Sequence, residues 1–377
     1  MSSSLIRPHK LLRACLVASL VGLGAAVPMG TAVAATRAFS SARSPHQAVT
    51  AAAAGAGWIA RDLSPNGALV DAESHKPSPS DTASAILALV ASGYGANQVK
   101  SATNWLEHNY SSYVSLHGVD NAGALALVIL AAVAGGANPT QFGGRKKSDN
   151  LVARLEATQQ KSGATAGAFG TAPAIDAFFQ SLSLLALVAA KAAGKVTRLG
   201  EAYLAGLQCP DGGWEYARTA ANIACVTPNP KTFTGPDTSS TAIAVMALVA
   251  TKGHFSHSPL SFFENSQEAN GSFGVYGVAG QGQLGDPDST AYAIQALVAL
   301  HALGAPQFTK SGVTPEAALA RFQFGCKAPA SEQGEFIYAS QPSQSATLEA
   351  VPAAAGVAFP VTPRKLSASE PRLACGA

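Results

Sequence analysis

Acid chemistry is what the residue order permits first. The run Asp286-Pro287-Asp288-Ser289-Thr290 sets two carboxyls two positions apart. Two carboxyls sharing one site resist joint ionisation, so one holds its proton at a pH where a lone Asp has lost it. Such an acid suits proton donation to a bound substrate. Related runs open at Asp81-Thr82 and Asp237-Thr238-Ser239, so the Asp is also a recurring local signal. Asp237 and Ser239, or Asp288 and Ser289, suit the start of a helix, where a side-chain oxygen accepts from the first free amides. Other chemistry has thinner support. Glu201, Asp211, Glu215, Asp286 and Asp288 are the carboxyls from which a glycoside-cleaving pair would be drawn, and no spacing singles one out. There is no Gly-x-Ser-x-Gly elbow, and His75, His108, His117, His254, His257 and His301 are scattered without the spacing of a triad.

Charge and cysteine usage narrow the setting. Of 377 residues, 47% are hydrophobic and 12% charged, which excludes a disordered chain. Residues 1–34 carry Arg7, Lys10 and Arg13, a mostly apolar run from Leu16 to Val27, and Ala32-Val33-Ala34. That order predicts a secretory signal and an extracellular protein, the h-region being short for a membrane span. Without it, bases and acids balance at 22 each. A neutral surface disfavours nucleic acid, whose binding needs concentrated positive charge. The one basic cluster, Arg145-Lys146-Lys147, reads as a solvated loop. Four cysteines remain, an even number that suggests two disulfides. Three pairings are open; Cys209–Cys225 and Cys326–Cys375 are favoured, since each brackets one loop or tail. No CxxC or HxxxH accompanies them, so no metal site is expected. The longest later apolar stretch, Ala122 to Ala137, is short for a membrane span and reads as a buried helix.

The positioning elements repeat. An amphipathic stretch, a Gly-aromatic turn, a loop and an Asp/Ser/Thr-led Ala-Leu helix recur about every 40–60 residues. The clearest copies run from Leu207-Gln208 through Asp211-Gly212-Gly213-Trp214 to Asp237, and from Ser266-Gln267 through Asn270-Gly271-Ser272-Phe273-Gly274 to Asp288. Weaker copies centre on Asn66-Gly67, Trp105-Leu106, Gly167-Ala168-Phe169-Gly170 and Gly334-Glu335-Phe336. Second helices of Ala, Leu, Val and Ile must be buried all round, while first helices have one charged face. Six buried helices ringed by six amphipathic ones predict an all-α (α/α)6 toroid over residues 49–358. A linker (35–48) precedes it and a tail (359–377) follows. Asp211-Gly212-Gly213 is turn chemistry, Gln208 suits bonding to loop backbone, and Trp214 suits packing on the neighbouring hairpin. Parallel inner helices bring their positive N-terminal ends to one mouth. Asp81, Asn121, Gln180, Asp237, Asp288, Thr290, Tyr292 and Gln295 would ring its floor as ligand-binding groups, with Phe178, Phe179 and Tyr292 as the main aromatics.

Gln208 with Asp211-Gly212-Gly213-Trp214, and Gln267 with Asn270-Gly271-Ser272-Phe273, resemble the QxxDGxW/F repeat of terpene cyclase and protein prenyltransferase toroids. The six-hairpin plan is also similar to the α-domain of transcobalamin and intrinsic factor. The resemblance covers residues 50–355 and is strong over 200–300. It implies that Asp286 and Asp288 match the Asp-x-Asp-Asp acid of class II terpene cyclases, with Asp288 in the acid's place and Ser289 replacing the last Asp. It also implies a corrinoid as one possible guest, with no other cofactor. The zinc trio of prenyltransferases is missing, and so is the Cys-Gly-Glu-Gln of complement-type toroids. Together these readings favour a secreted monomer that binds a small molecule or protein partner without transforming it. A cyclase using Asp288 and a structural cell-surface protein are the alternatives.

Overall fold

The computed structural model describes residues 45–377 apart from 145, 172–174, 193, 281–283, 374, 376 and 377. The signal sequence, residues 35–44 of the linker and Arg145 lie outside the described residues.

Twelve helices make six hairpins. The outer members are α1 (Pro45–Asp62), α3 (Ala96–Asn109), α5 (Leu151–Ala157), α7 (Lys195–Gly206), α9 (Pro259–Ser266) and α11 (Pro315–Leu319). The inner members are α2 (Pro79–Ser92), α4 (Ala122–Ala134), α6 (Ala177–Ala189), α8 (Thr238–Thr251), α10 (Pro287–Ala299) and α12 (Gln344–Ala354). Composition sorts the two sets. In α3 only the stripe Val99, Ala102, Thr103 and Leu106 is buried, the spacing of one helix face. In α4 every residue except Leu127 and Val133 is buried. Neighbouring inner helices pack in chain order, and α12 packs back on α2. The ring is closed. The only strands among the described residues are two antiparallel hairpins in the loops, β1 (Ser115–Leu116) with β2 (Val119–Asp120) and β3 (Phe336–Tyr338) with β4 (Gln341–Ser343).

A repeated pair of hydrogen bonds locks hairpin to hairpin. Gln208 Nε2 donates to Gly212 O (3.1 Å) in its own turn and to His257 O (2.8 Å) in the next hairpin. Its Oε1 accepts from the amides of Ser256 (2.8 Å) and His257 (3.0 Å). Gln159 donates likewise to Val196 O, Gln267 to Phe308 O and Gln323 to Ala51 O, each at 2.8 Å. The last of these joins the sixth hairpin to the first. Glycine makes the same approach possible. Gly212 and Gly334 have φ of +91° and +94°. A methyl at either would lie 2.2 Å from Ser258 O or 2.4 Å from Ala54 O on the next outer helix, so no other residue fits. A second bond ties each turn to its inner helix. The amides of Leu69, Trp214, Phe273 and Phe336 donate to the hydroxyls of Thr82 (2.9 Å), Thr241 (2.9 Å), Thr290 (3.0 Å) and Thr347 (2.8 Å).

The favoured disulfides form: Cys209–Cys225 closes the loop before α8, and Cys326–Cys375 fastens the tail. That tail crosses the ring at the C-terminal ends of the inner helices. The Phe359 amide meets Met246 Sδ at 3.3 Å, and Arg364 donates to Ala91 O (2.7 Å) at the end of α2.

Replacing Gln208 by Leu strands two half-buried amides and two carbonyls at once, which costs about 2–4 kcal/mol. Urea unfolding of the Gln208→Leu variant measures this directly. A loss below about 0.5 kcal/mol, the size of an ordinary surface substitution, contradicts the interlocking role.

Candidate functional site

Each inner helix starts at a side-chain cap. Ser78, Asn121, Asp176, Asp237, Asp286 and Ser343 accept from the amide three residues on, at 2.6–3.3 Å. The caps set the register of everything beyond them. Two, six and nine residues after the cap lie one helix face apart, and that face turns to the ring's centre. It carries Ser80, Ser84 and Leu87 on α2, Gly123 and Leu127 on α4, Phe178 and Leu182 on α6, and Tyr292 and Gln295 on α10. These residues, with Asp81, Tyr113, Asn121, Ala124, Phe179, Ser345, Leu348, Glu349 and Phe359, line a cavity of about 70 Å³. Phe359 of the tail closes the far end. Phe178 and Tyr292 meet edge to face across the front of α8, their ring centres 5.6 Å apart, and Phe178 and Phe179 do so at 6.0 Å. Five aromatic rings therefore line the space.

Asp288 stands two residues after its cap, on the same stripe as Tyr292 and Gln295. Burial, and then the nearby charge of Asp286, hold its carboxyl well above the usual carboxylate range. Glu349 is raised in the same way by burial and then by Asp288 and Asp286. Asp286 itself rises to about 6, because burial outweighs the amides its carboxylate accepts. Asp286 Oδ2 and Asp288 Oδ1 are shut off from solvent without a hydrogen-bond partner. Asp81, on α2, rises to about 6, chiefly by burial. The site is a chamber with aromatic and leucine walls, open at one end, whose carboxyls are held above the usual carboxylate range.

The sequence-derived residues divide. Asp81, Asn121, Tyr292 and Gln295 reach the wall; Asp286 and Asp288 are not among the residues that line it, and are linked to it through Glu349, whose carboxyl they raise. Gln180, Asp237 and Thr290 are held elsewhere. Gln180 is 1% exposed and is committed to the Phe169 amide and to Gly167 O and Gly200 O. Thr290 accepts from the Phe273 amide and donates to Asp286 O (2.6 Å), and Asp237 caps α8. The cap of α10 is Asp286 and not Asp288, because only the residue just outside the first turn can reach the amide three ahead. Of the carboxyls considered for sugar cleavage, Asp211 accepts from the Gly213 amide in its turn, Glu215 accepts from the Val226 amide in the loop before α8, and Glu201 lies on an outer helix. The sequence reading passed over Glu349, Tyr113 and Phe359 as site residues. Glu349 was visible only as four residues beyond Ser345 on an otherwise apolar helix.

Neither a protein family nor a curated protein matches this chain by sequence. Solved structures do match by shape. An unsaturated glucuronyl hydrolase specific for heparin is 13% identical, with 82% of this chain and 96% of that one covered and a TM-score of 0.59. The type II terpene cyclase MstE from Scytonema is 13% identical, covering 83% and 98%, with a TM-score of 0.53. An alpha-1,6-mannanase, GH76A of Salegentibacter, is 12% identical, covering 82% and 98%, with a TM-score of 0.54. The chain is an α/α toroid. It spans 51% of the length of ent-copalyl diphosphate synthase from Streptomyces platensis, which it also matches. At these identities the likeness concerns the toroid fold.

Two measurements probe these carboxyls. Asp286→Ala removes a cap and costs about 1 kcal/mol, whereas Asp288→Asn leaves stability unchanged or higher, since it removes an unpartnered buried carboxyl. The toroid should also lose stability as pH rises. Asp81, Asp237 and Asp286 move from 3.8 to about 6, and Asp176 to about 7. Folded carboxyls therefore hold protons that the unfolded chain has released, and unfolding gains as pH climbs through that window. Tm should fall between about pH 4 and about pH 7. A flat or rising Tm contradicts the buried-acid description.

Proposed function

We propose that this toroid binds a small apolar molecule in its central cavity, entering at the mouth formed by the inner-helix N-termini, without covalent change. One observation carries the reading: a chamber walled by five aromatic rings and four leucines, open at one end and stoppered by Phe359 at the other. The loops around the mouth expose Leu116, Val119, Ile223, Val226, Phe233 and Leu284, which suits passage of an apolar guest. A corrinoid, implied by the likeness to cobalamin carriers, is bulkier than the enclosed space and would lie over the mouth. An extracellular location fits the signal-like N-terminus, the two disulfides, and the lack among the described residues of any helix long and apolar enough to cross a membrane.

Native mass spectrometry of the purified protein tests this. A noncovalent adduct of low mass is expected on the wild type and absent from Ser84→Phe, which fills the chamber from α2. Retention of the same adduct by Ser84→Phe, or binding of apolar probes to neither protein, contradicts the reading.

The second reading is acid catalysis of a terpene-cyclase type, MstE being a type II terpene cyclase. It is favoured by Asp288, whose proton is retained beside Asp286 and whose helix stripe faces aromatic rings that attract a developing cation. In that case Asp288→Asn abolishes turnover of a neutral alkene or epoxide by about 100-fold or more while folding is intact. Equal turnover in both proteins removes this reading and leaves binding.

A further inference from the structure

The cavity wall carries acids and no cation. Among the described residues no Lys, Arg or His lines it, whereas Asp81 and Glu349 do, and Asp288 follows its cap at the position that faces the centre on the other inner helices. Two carboxyl oxygens at the start of α10, Asp286 Oδ2 and Asp288 Oδ1, and Gln295 Oε1 about two turns further along it are closed off from solvent without a partner. Gln295 is on the wall, 1% exposed, and its amide nitrogen is turned back to Ala291 O at 3.4 Å. Its oxygen is therefore left for something else. Carboxyl and amide oxygens accept from N–H donors, and the rings of Phe178, Phe179 and Tyr292 attract positive charge to their faces. An anion would meet two carboxyls and no cationic side chain to pair with.

Resting on the reading of an apolar guest, we propose that the cavity selects a protonated apolar amine over neutral or anionic molecules of the same shape. The ammonium sits beside Glu349, at the level between Asp288 and Gln295, and the hydrocarbon lies against Phe179 and Leu182. The converging helix N-termini alone would favour an anion, but each is already capped by a side-chain oxygen, three of them from Asp176, Asp237 and Asp286. The groups with a proton to lose or a charge to offer here are Asp81 from α2, Tyr113 beside α4, Asp286, Asp288 and Tyr292 from α10, Tyr338 from β3 and Glu349 from α12. None is a base. Asp288 and Glu349 hold protons because burial and mutual repulsion disfavour their charge. An incoming ammonium relieves that repulsion, so its entry sends a carboxyl proton to solvent, and the bound pair is ammonium and carboxylate.

Calorimetric titration with 1-adamantylamine, 1-adamantanol and adamantane-1-carboxylate tests the selection on three guests of one shape. The amine should bind about tenfold more tightly than the alcohol, and the carboxylate least. The heat of amine binding should also change with the buffer's ionisation enthalpy, the sign of a released proton. In Glu349→Gln the amine's advantage over the alcohol should shrink to near unity. Asp288→Asn repeats the test should Glu349→Gln fail to fold. Equal amine and alcohol affinity, or a carboxylate that binds best, overturns the amine preference and leaves the apolar cavity standing. Binding of none of the three overturns both.

Discussion

A buried glutamine amide that bonds its own turn and the next hairpin is the interaction on which the toroid depends. Gln159, Gln208, Gln267 and Gln323 each carry it. Amide groups this deep lose water on folding, and leaving one unpaired costs more than the bond gains. The hairpins are therefore held in one angular relation to one another. The same relation, repeated, returns the sixth hairpin to the first: Gln323 reaches Ala51, and Trp58 Nε1 and Arg61 donate back to Ser331 O and Gln333 O. Closure is what makes a central space. An open stack of the same hairpins would present the Ala-Leu faces of its terminal repeats to water.

The space follows from how the ring is filled. Ala-rich inner helices approach closely along most of their length, and Phe359 fills one end. At the other end the caps place short or apolar residues inward: Ser80 on α2, Gly123 on α4, Ser345 on α12. There α10 departs from its neighbours by carrying Asp288, and α12 by carrying Glu349. Each carboxyl is costly in an apolar wall and neither helps the fold, since capping belongs to Asp286. Groups retained against the interests of packing are where function is sought. The fold itself is shared with cyclases and glycoside hydrolases, so it decides nothing between them.

Much of this was legible in the residues. Continuous apolarity separated inner from outer helices, and the Gly-aromatic turns counted the hairpins. The bracketing cysteines gave both disulfides. Half of the expected wall residues reached the wall. Two of the rest failed for one physical reason: Gln180 and Thr290 fall four residues after a cap, a position whose side chain points back to the turn and not to the centre, while Asp237 is itself the cap of α8. Once Asp286 is assigned as the cap, the inward stripe falls on Asp288, Tyr292 and Gln295. Without that register, one residue's slip turns a side chain by about 100°, and the sequence alone did not fix it. Asp176 was missed as a cap because no Ser or Thr follows it. Tyr113 and Phe359 come from a loop and a tail, where no periodicity exists to read, and Glu349 needs the closure of the ring to meet Asp288.

The central claim is that a chamber walled by aromatic rings and leucines exists inside the closed ring. Xenon binding under pressure, followed by crystallography or methyl NMR, measures it without assuming any ligand. The account predicts one xenon site bounded by Phe178, Phe179, Leu182 and Leu348. No xenon inside the ring, or the same uptake in Ser84→Phe, would contradict it.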